Sequence, residues 1–261
     1  MDYLNLKCTA SVARIGLSRP EVKNAFNDGL IREFSDLLKK LEKDPKVRVV
    51  ILSGEGDCFC AGADLNWMKS MKSASRKANE ADALKLAGLL SALNDFPKPT
   101  MAQVHGAAIG GGVGLVAACD IAVATDSTVF ALAEVKLGLI PAVISPFVIS
   151  KIGSSAARRY FLTGERFKAD QALRLGLIHE SVPAGELVSR AEAIARELLT
   201  SGPEAIRVCK ELIRKVGSPV DKSVQDYTVK KIAALRVSPE GQEGMAAFLE
   251  KKKPSWNITN S

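Results

Sequence analysis

A chain of 261 residues with 47% hydrophobic side chains is long enough for one large domain, or one domain with an appendage, around a substantial core. It contains no run of 18 uncharged apolar residues, which excludes a membrane-spanning helix, and its opening MDYLNLKC has neither the basic region nor the apolar segment of a signal peptide. The net charge of +7 is scattered among acidic residues, its densest run is Lys251-Lys252-Lys253, and aromatic content is 5%, so a nucleic-acid surface is not expected whereas a small phosphorylated ligand is compatible.

Residues 3–8 and 11–17 read as two strands joined by a tight turn, with the alternation Val12-Ala13-Arg14-Ile15 of a half-buried sheet. Pro20 and its polar neighbours break that pattern, and Asn27 or Asp28 caps the helix that follows. Leu30, Ile31, Phe34, Leu37, Leu38 and Leu41 recur at helical spacing and make one apolar face. Asp44-Pro45 ends the helix. Residues 47–53, VRVVILS, form a continuous apolar strand of the kind covered on both faces.

A loop of small residues, 54–65, then enters a second helix. Residues 66–75 are polar and mixed, with Trp67, Met68 and Met71; they form either a mobile segment over a pocket or an amphipathic helix packed on the core. Helix is predicted over 81–93, stopped by Pro97 and Pro99 before a strand over 100–104.

The stretch from His105 to Pro141 organises the chain. It holds Gly106, Gly110, Gly111, Gly112 and Gly114, an apolar run to Cys119, Asp120, a strand over 121–125, a polar turn, and Glu134 in an apolar setting. Glycines permit close backbone approach, and N–H groups leaving such a loop into a helix make an anion site. Gly112 to Ala117 matches the dinucleotide pattern G-x-G-x-x-A. That unit, however, needs a strand running into its first glycine and a crossover of about ten or more residues, and only residues 115–119 separate these glycines from the next strand. The competing reading is an oxyanion hole. Strand, small-residue loop and helix start occur twice, so two backbone donors can converge on one carbonyl oxygen. His105 reads as structural, and Cys60 and Cys119 as small core residues. Two histidines and a lone Cys58-Phe59-Cys60 predict no metal site, and five cysteines predict free thiols in a reducing, cytoplasmic setting.

Residues 138–146 form a bent loop with apolar walls. Beyond Pro146 the pattern is mostly helical, over 146–152, 154–162, 169–175, 184–199, 203–215, 220–237 and 241–251. The chain thus divides into an α/β core, residues 1–180, and a helical region, residues 181–261, suited to oligomerisation or to completing the site.

Cys60-Ala61-Gly62-Ala63-Asp64-Leu65, followed by Gly110-Gly111-Gly112 running into Ala118-Cys119-Asp120, resembles the enoyl-CoA hydratase/isomerase (crotonase) superfamily. Leu17-Ser18-Arg19-Pro20, Phe161-Leu162-Thr163-Gly164 and the segment from Glu243 to Lys251 add matches in order, so the resemblance covers nearly the whole chain. It implies an α/β spiral of ββα turns with a helical C-terminal trimerisation region, acyl-CoA thioester substrates, and an enolate held by two backbone N–H groups. By position those donors are Ala63 and Gly111. Ala61 would offer its carbonyl to the adenine amino group, Asp64 and Leu65 would follow along the CoA site, and Val22 and Lys23 would lie along the nucleotide and pantetheine. Phe248 and Lys251 match C-terminal CoA contacts that are sometimes made to a neighbouring subunit. Gly114, Trp67, Met68 and Pro141 fall in the substrate pocket. Coenzyme A is part of the substrate, so no separate cofactor is implied. The implied partners are the thioester and further copies of the chain in a homotrimer or dimer of trimers, with no membrane.

One position departs from the hydratase pattern of two glutamates. The second aligns with Glu134, but Gly114 occupies the place of the first. One carboxylate suffices to move a proton between two carbons, as in an isomerase; a hydratase subgroup working with one carboxylate is the other reading. GGGVGLVAACD with LGLIPAVISPFV resembles the bacterial 3-methylglutaconyl-CoA hydratases of leucine and isovalerate breakdown, and related geranyl-type hydratases, which share this glycine. The resemblance thus implies hydration of 3-methylglutaconyl-CoA, with a Δ3,Δ2-enoyl-CoA isomerase using Glu134 alone as the alternative.

Overall fold

The computed structural model describes residues 1–72, 74–216 and 222–257. Strands β1 (Leu4–Thr9) and β2 (Val12–Leu17) pair antiparallel across a tight turn whose two residues, Ala10 and Ser11, both have positive φ. The polar break that follows contains the 3-10 turn Pro20–Val22, closed by Lys23 in the left-handed region. Helix α1 (Asp28–Lys43) starts at Asn27, whose side chain accepts the Leu30 N–H at 2.8 Å. All six apolar residues of its predicted stripe are buried.

Strand β3 (Val49–Gly54) begins two residues later than its apolar run, because the Val47 N–H closes a turn onto the Asp44 carbonyl. Helices α2 (Leu65–Lys72) and α3 (Arg76–Asn94) follow. Ser75 caps α3 by accepting the Ala78 N–H, so that helix begins well before its apolar spacing becomes visible. Then come β4 (Thr100–Val104), β5 (Ala107–Ile109), α4 (Gly111–Ala118), β6 (Ile121–Thr125), β7 (Val129–Ala131) and the 3-10 turn Ala133–Leu137. Helix α5 (Ser145–Thr163) is broken at Gly153, which has φ 72° and ψ 163°, and so contains the two shorter helices that the sequence suggests. After β8 (Arg166–Lys168), α6 (Ala169–Arg174) and β9 (Glu180–Val182), the chain ends in α7 (Leu187–Leu199), α8 (Pro203–Lys215), α9 (Lys222–Val237) and α10 (Pro239–Leu249). Val220, the expected start of the penultimate helix, lies outside the described residues.

Among the described residues the strands form two sheets, one ordered β1-β2-β3-β4-β6-β9 and one ordered β5-β7-β8. From β2 to β9 the neighbours in the larger sheet are parallel. Successive passes of the chain place one strand in the large sheet, one in the small sheet and then a helix: β4-β5-α4, then β6-β7-α5. Helix α4 is buried from Gly112 to Ala118, so it runs through the core and not along the surface.

The region after residue 180 also contributes to the core. Helix α7 packs Leu187, Ala191, Ala195 and Leu199 against Val49, Ile51, Met101 and Val123 of the large sheet. Helix α8 is tied down by Lys210, 8% exposed, whose ammonium donates to Asp120 at 2.5 Å and to the Lys98 carbonyl. Helix α10 packs on α8 and α9, and Val229, Ile232, Val237, Met245, Phe248 and Leu249 are left exposed on the last two helices. No helix among the described residues is long and apolar enough to cross a membrane.

Candidate active site

Two loops meet where the large sheet hands over to its helices. The isolated bridge between Cys60 and Ala108 holds them in register: the Cys60 N–H donates to the Ala107 carbonyl (3.1 Å), and the Ile109 N–H to the Cys60 carbonyl (2.9 Å). A second bridge joins Phe26 to Ala63. The Phe26 N–H donates to the Gly62 carbonyl at 2.6 Å, and the Asp64 N–H to the Phe26 carbonyl at 2.9 Å. That pairing uses the peptide groups on both sides of Ala63 and turns the Ala63 N–H away from the bridge. Gly111 is the first residue of α4, where helical N–H groups lack internal acceptors. Among the described residues neither the Ala63 nor the Gly111 N–H has an acceptor. The loops are close enough that a Cβ built on Gly62 would lie 3.9 Å from the Gly111 nitrogen. The two expected donors are thus brought together.

Phe26 is the part of this arrangement that the sequence did not reveal. Its backbone fixes Ala63, and its ring lies against Gly111, where an added Cβ would come within 2.9 Å. The only sequence signal is a fully apolar aromatic just before the Asn27 cap, outside the helical stripe. The dinucleotide pattern fails here for a related reason. Its first glycine, Gly112, already lies inside α4, so no strand runs into it.

Glu134 stands in the first turn of the 3-10 segment after β7. Its carboxylate comes down on Gly110, whose φ of 50° and whose missing Cβ both suit glycine; a Cβ there would sit 2.8 Å from Oε1. The carboxyl therefore borders the residue next to the Gly111 donor. Glu134 Oε2 is buried and has no hydrogen-bond partner among the described residues. Burial pushes the Glu134 pKa above the usual carboxylate range, against the opposing pull of its own backbone N–H. A carboxyl so placed can both take up and give back a proton.

Gly114 lies one turn beyond Gly110 on the same side of α4 and is buried. A Cβ there would be 2.4 Å from Ile144 Cγ2 and 3.6 Å from Leu90 Cδ1. The position that would carry a second carboxylate is occupied by an isoleucine methyl from the loop before α5. Pro141 is buried.

The remaining expected residues are placed as follows. Ala61 donates its N–H to the Lys23 carbonyl at 2.9 Å, which sets the 3-10 turn containing Val22 beside the first loop, and the Ala61 carbonyl accepts no hydrogen bond among the described residues. Leu65 is 74% exposed. The Asp64 side chain is taken up locally: it pairs with Arg19 at 2.8 Å and accepts the Asn66 and Trp67 N–H groups, capping α2. Burial alone would raise its pKa, but these hydrogen bonds outweigh burial and hold the carboxyl below its ordinary value. Phe248 is 82% exposed and Lys251 is exposed; no hydrogen bond or ion pair among the described residues links either to Val22, Lys23 or Ala61.

A cavity of about 620 Å³ opens at Ala63 between α2, α3 and the end of the 3-10 turn, and it includes Trp67 and Met68 but neither Gly114 nor Pro141 in its lining. Helix α2 buries no residue completely, but its half-buried Trp67 packs against the core, so this segment is a helix that both rests on the core and roofs the cavity. A cavity of about 660 Å³ between α1 and α3 contains none of the expected site residues. His105 bonds through Nε2 to the Gly56 carbonyl, and His179 Nδ1 accepts the Ala122 N–H, so both serve the backbone. Burial pushes the Cys60 and Cys119 thiols up to about 12, which keeps them protonated.

A family model described as enoyl-CoA hydratase/isomerase matches residues 7–259. A short-chain-enoyl-CoA hydratase of Clostridium acetobutylicum is 31% identical over 97% of this chain and 97% of its own length. Among solved structures, an enoyl-CoA hydratase from Shewanella pealeana is 42% identical with a TM-score of 0.95, covering 97% of this chain and 96% of that one. Pseudomonas aeruginosa AtuE is 35% identical with a TM-score of 0.94, covering 98% and 99%.

Proposed function

From the premise that this chain belongs to the enoyl-CoA hydratase/isomerase family, we propose that it hydrates, reversibly, the double bond of 3-methylglutaconyl-CoA. Conjugation to a thioester makes C3 electrophilic, so attack by water there places negative charge on the thioester oxygen. The Ala63 and Gly111 N–H groups receive that oxygen, and their lack of other acceptors means that no bond is broken when it arrives. Glu134 takes a proton from the attacking water as oxygen bonds to C3, then delivers a proton to C2 as the enolate collapses. The atoms of one water are added and the carboxylate is regenerated.

The observation that carries this reading is one buried carboxyl against Gly110, next to the Gly111 donor, with one of its oxygens and both backbone donors unpartnered among the described residues. CoA would run past Lys23, Val22 and the Ala61 carbonyl, then along the backbone of Asp64 and Leu65 to the donors. Phe248 and Lys251 would complete the CoA site in a homotrimer or dimer of trimers, a role supported by their exposure on the chain's last helix and turn. The acyl group follows from the resemblance of the Gly114 and Pro141 segments to 3-methylglutaconyl-CoA hydratases.

The closed slot at Gly114 favours one second reading, because a lone shuttle suits a Δ3,Δ2-enoyl-CoA isomerase. Steady-state assay with crotonyl-, 3-methylcrotonyl-, 3-methylglutaconyl- and trans-3-hexenoyl-CoA separates the two, with products weighed by mass spectrometry. A product of 3-methylglutaconyl-CoA heavier by one water supports hydration. Conversion of the 3-hexenoyl thioester to its conjugated 2-isomer, a change that leaves the mass unaltered and is read by ultraviolet absorbance, with no water gained by any substrate, overturns it.

A further inference from the structure

The cavity that opens at Ala63 has walls of two kinds. Leu65, Met68 and Met71 on α2, with Leu137 and Leu139 opposite, make its sides apolar. Its charges come from Lys69 and Lys72 of α2 and Asp82 of α3. Asp82 is engaged, since the Trp67 indole N–H donates to its Oδ1 at 3.3 Å. Neither lysine has an ion-pair or hydrogen-bond partner among the described residues, a state shared with Lys77 of the adjoining α3, whereas Arg76 pairs with Glu80 and Lys85 with Asp28. Lys69 and Lys72 stand three residues apart on one side of a helix, where like charges repel. An anion between them would relieve that repulsion.

The placement also suits a short chain. On the proposed reading the thioester oxygen is received at Ala63, and α2 begins two residues later. Lys69 stands about 6 Å along the helix axis from Leu65. Its flexible stem lets the ammonium reach back over the apolar wall or out into water. A neutral acyl chain would use the apolar wall and leave both ammonium groups hydrated. A chain ending in a carboxylate would use both.

We infer that Lys69 and Lys72 form a subsite for an anionic group at the far end of the acyl chain, which makes this cavity selective for thioesters of dicarboxylic acids. The inference rests on the acyl-CoA reading of the site but not on which reaction follows. It is tested on the full chain with two saturated, unreactive ligands, glutaryl-CoA and butyryl-CoA, by isothermal titration. The variants are Lys69→Met, Lys72→Met, the double variant and the double Lys→Arg variant; methionine and arginine both keep helix propensity close to that of lysine.

Wild type is expected to bind glutaryl-CoA roughly tenfold more tightly than butyryl-CoA, as charge-assisted contacts allow. The preference should shrink as salt rises and fall to near parity in the double methionine variant. Butyryl-CoA affinity should move less than about twofold, and the arginine variant should retain the preference. Three results overturn the subsite: no preference in wild type, a preference that survives in the double methionine variant, or an equal loss for both ligands, which would assign the lysines to the CoA phosphates. Parallel kcat/KM measurements on 3-methylglutaconyl-CoA and crotonyl-CoA keep the two readings apart. A lysine-dependent glutaryl preference with no water added to either enoyl thioester leaves the subsite standing and removes the hydratase reading.

Discussion

Replacing Glu134 by glutamine removes the proton shuttle and leaves both backbone donors in place. The expected loss in kcat is about 10²–10⁴-fold, with the affinity for a saturated acyl-CoA unchanged; a variant that keeps most of its turnover would remove Glu134 from the chemistry. The same substitution should stabilise the fold. Burial raises the Glu134 pKa above its unfolded value, so the folded state holds the proton more tightly, and stability declines as pH rises from the unfolded pKa through the folded one. Thermal unfolding of Glu134→Gln should therefore exceed that of wild type at neutral pH, and the difference should vanish below the ordinary carboxylate range. Gly114 gives a second test at this scale. In the sequence alone Gly114→Glu reads as the restoration of a carboxylate pair; in the packed core it drives a Cβ into Ile144. Overpacking of this kind costs about 1–3 kcal/mol. Gly114→Glu alone should lower Tm without raising crotonyl-CoA hydration, and Ile144→Ala added to it should recover stability. Additive unfolding free energies across that double-mutant cycle would show that the two positions are not coupled.

At the scale of elements, long patterns were legible and short ones were not. The stripe of α1 and the apolar run of β3 announce themselves because burial on one face or two imposes a period over many residues. Strands β5, β7 and β8 have three residues each, too few for any period, so the small sheet was invisible although it carries the loops into α4 and Glu134. The two loops that carry the donors could be located because small residues recur at two strand–helix junctions, and the family resemblance supplied Ala63 and Gly111 by position. Phe26, which joins them, could not, since its partners are distant in sequence and its role is a matter of one bridge and one ring contact. Phe26 is a positioning residue, and its test separates placement from stability. Phe26→Leu keeps the bridge and most of the burial but withdraws the ring edge from Gly111. It should lower kcat by up to about 10²-fold, as small misplacements do, with KM little changed. A rise in KM at constant kcat would assign Phe26 to substrate binding instead.

For the whole molecule, the sequence separated an α/β part from a helical part, and the packing blurs that line. Helix α7 supplies one face of the large sheet, and α8 is fastened to Asp120, whereas α9 and α10 leave apolar side chains in water. Exposed residues such as Val229 and Phe248 on adjoining helices make a surface that a second copy can cover. Light scattering on the purified chain should give three copies or a multiple of three, and a stable monomer at micromolar concentration would contradict this. If the same association brings Lys251 to the CoA of a neighbour, Lys251→Ala should raise KM several-fold and flatten its dependence on salt. An unchanged KM would leave α10 a packing element alone.

The buried, unpartnered Oε2 of Glu134 has an isotopic consequence. A carboxyl oxygen shut away from solvent exchanges its proton with bulk water only when the site opens. In the dehydration direction, a deuteron lifted from C2 should therefore ride on Glu134 until it departs with the hydroxyl as one water molecule. Loss of deuterium from C2 of unreacted hydroxyacyl-CoA would then lag well behind product formation. Wash-out that outpaces dehydration would mean that the carboxyl meets solvent on every cycle.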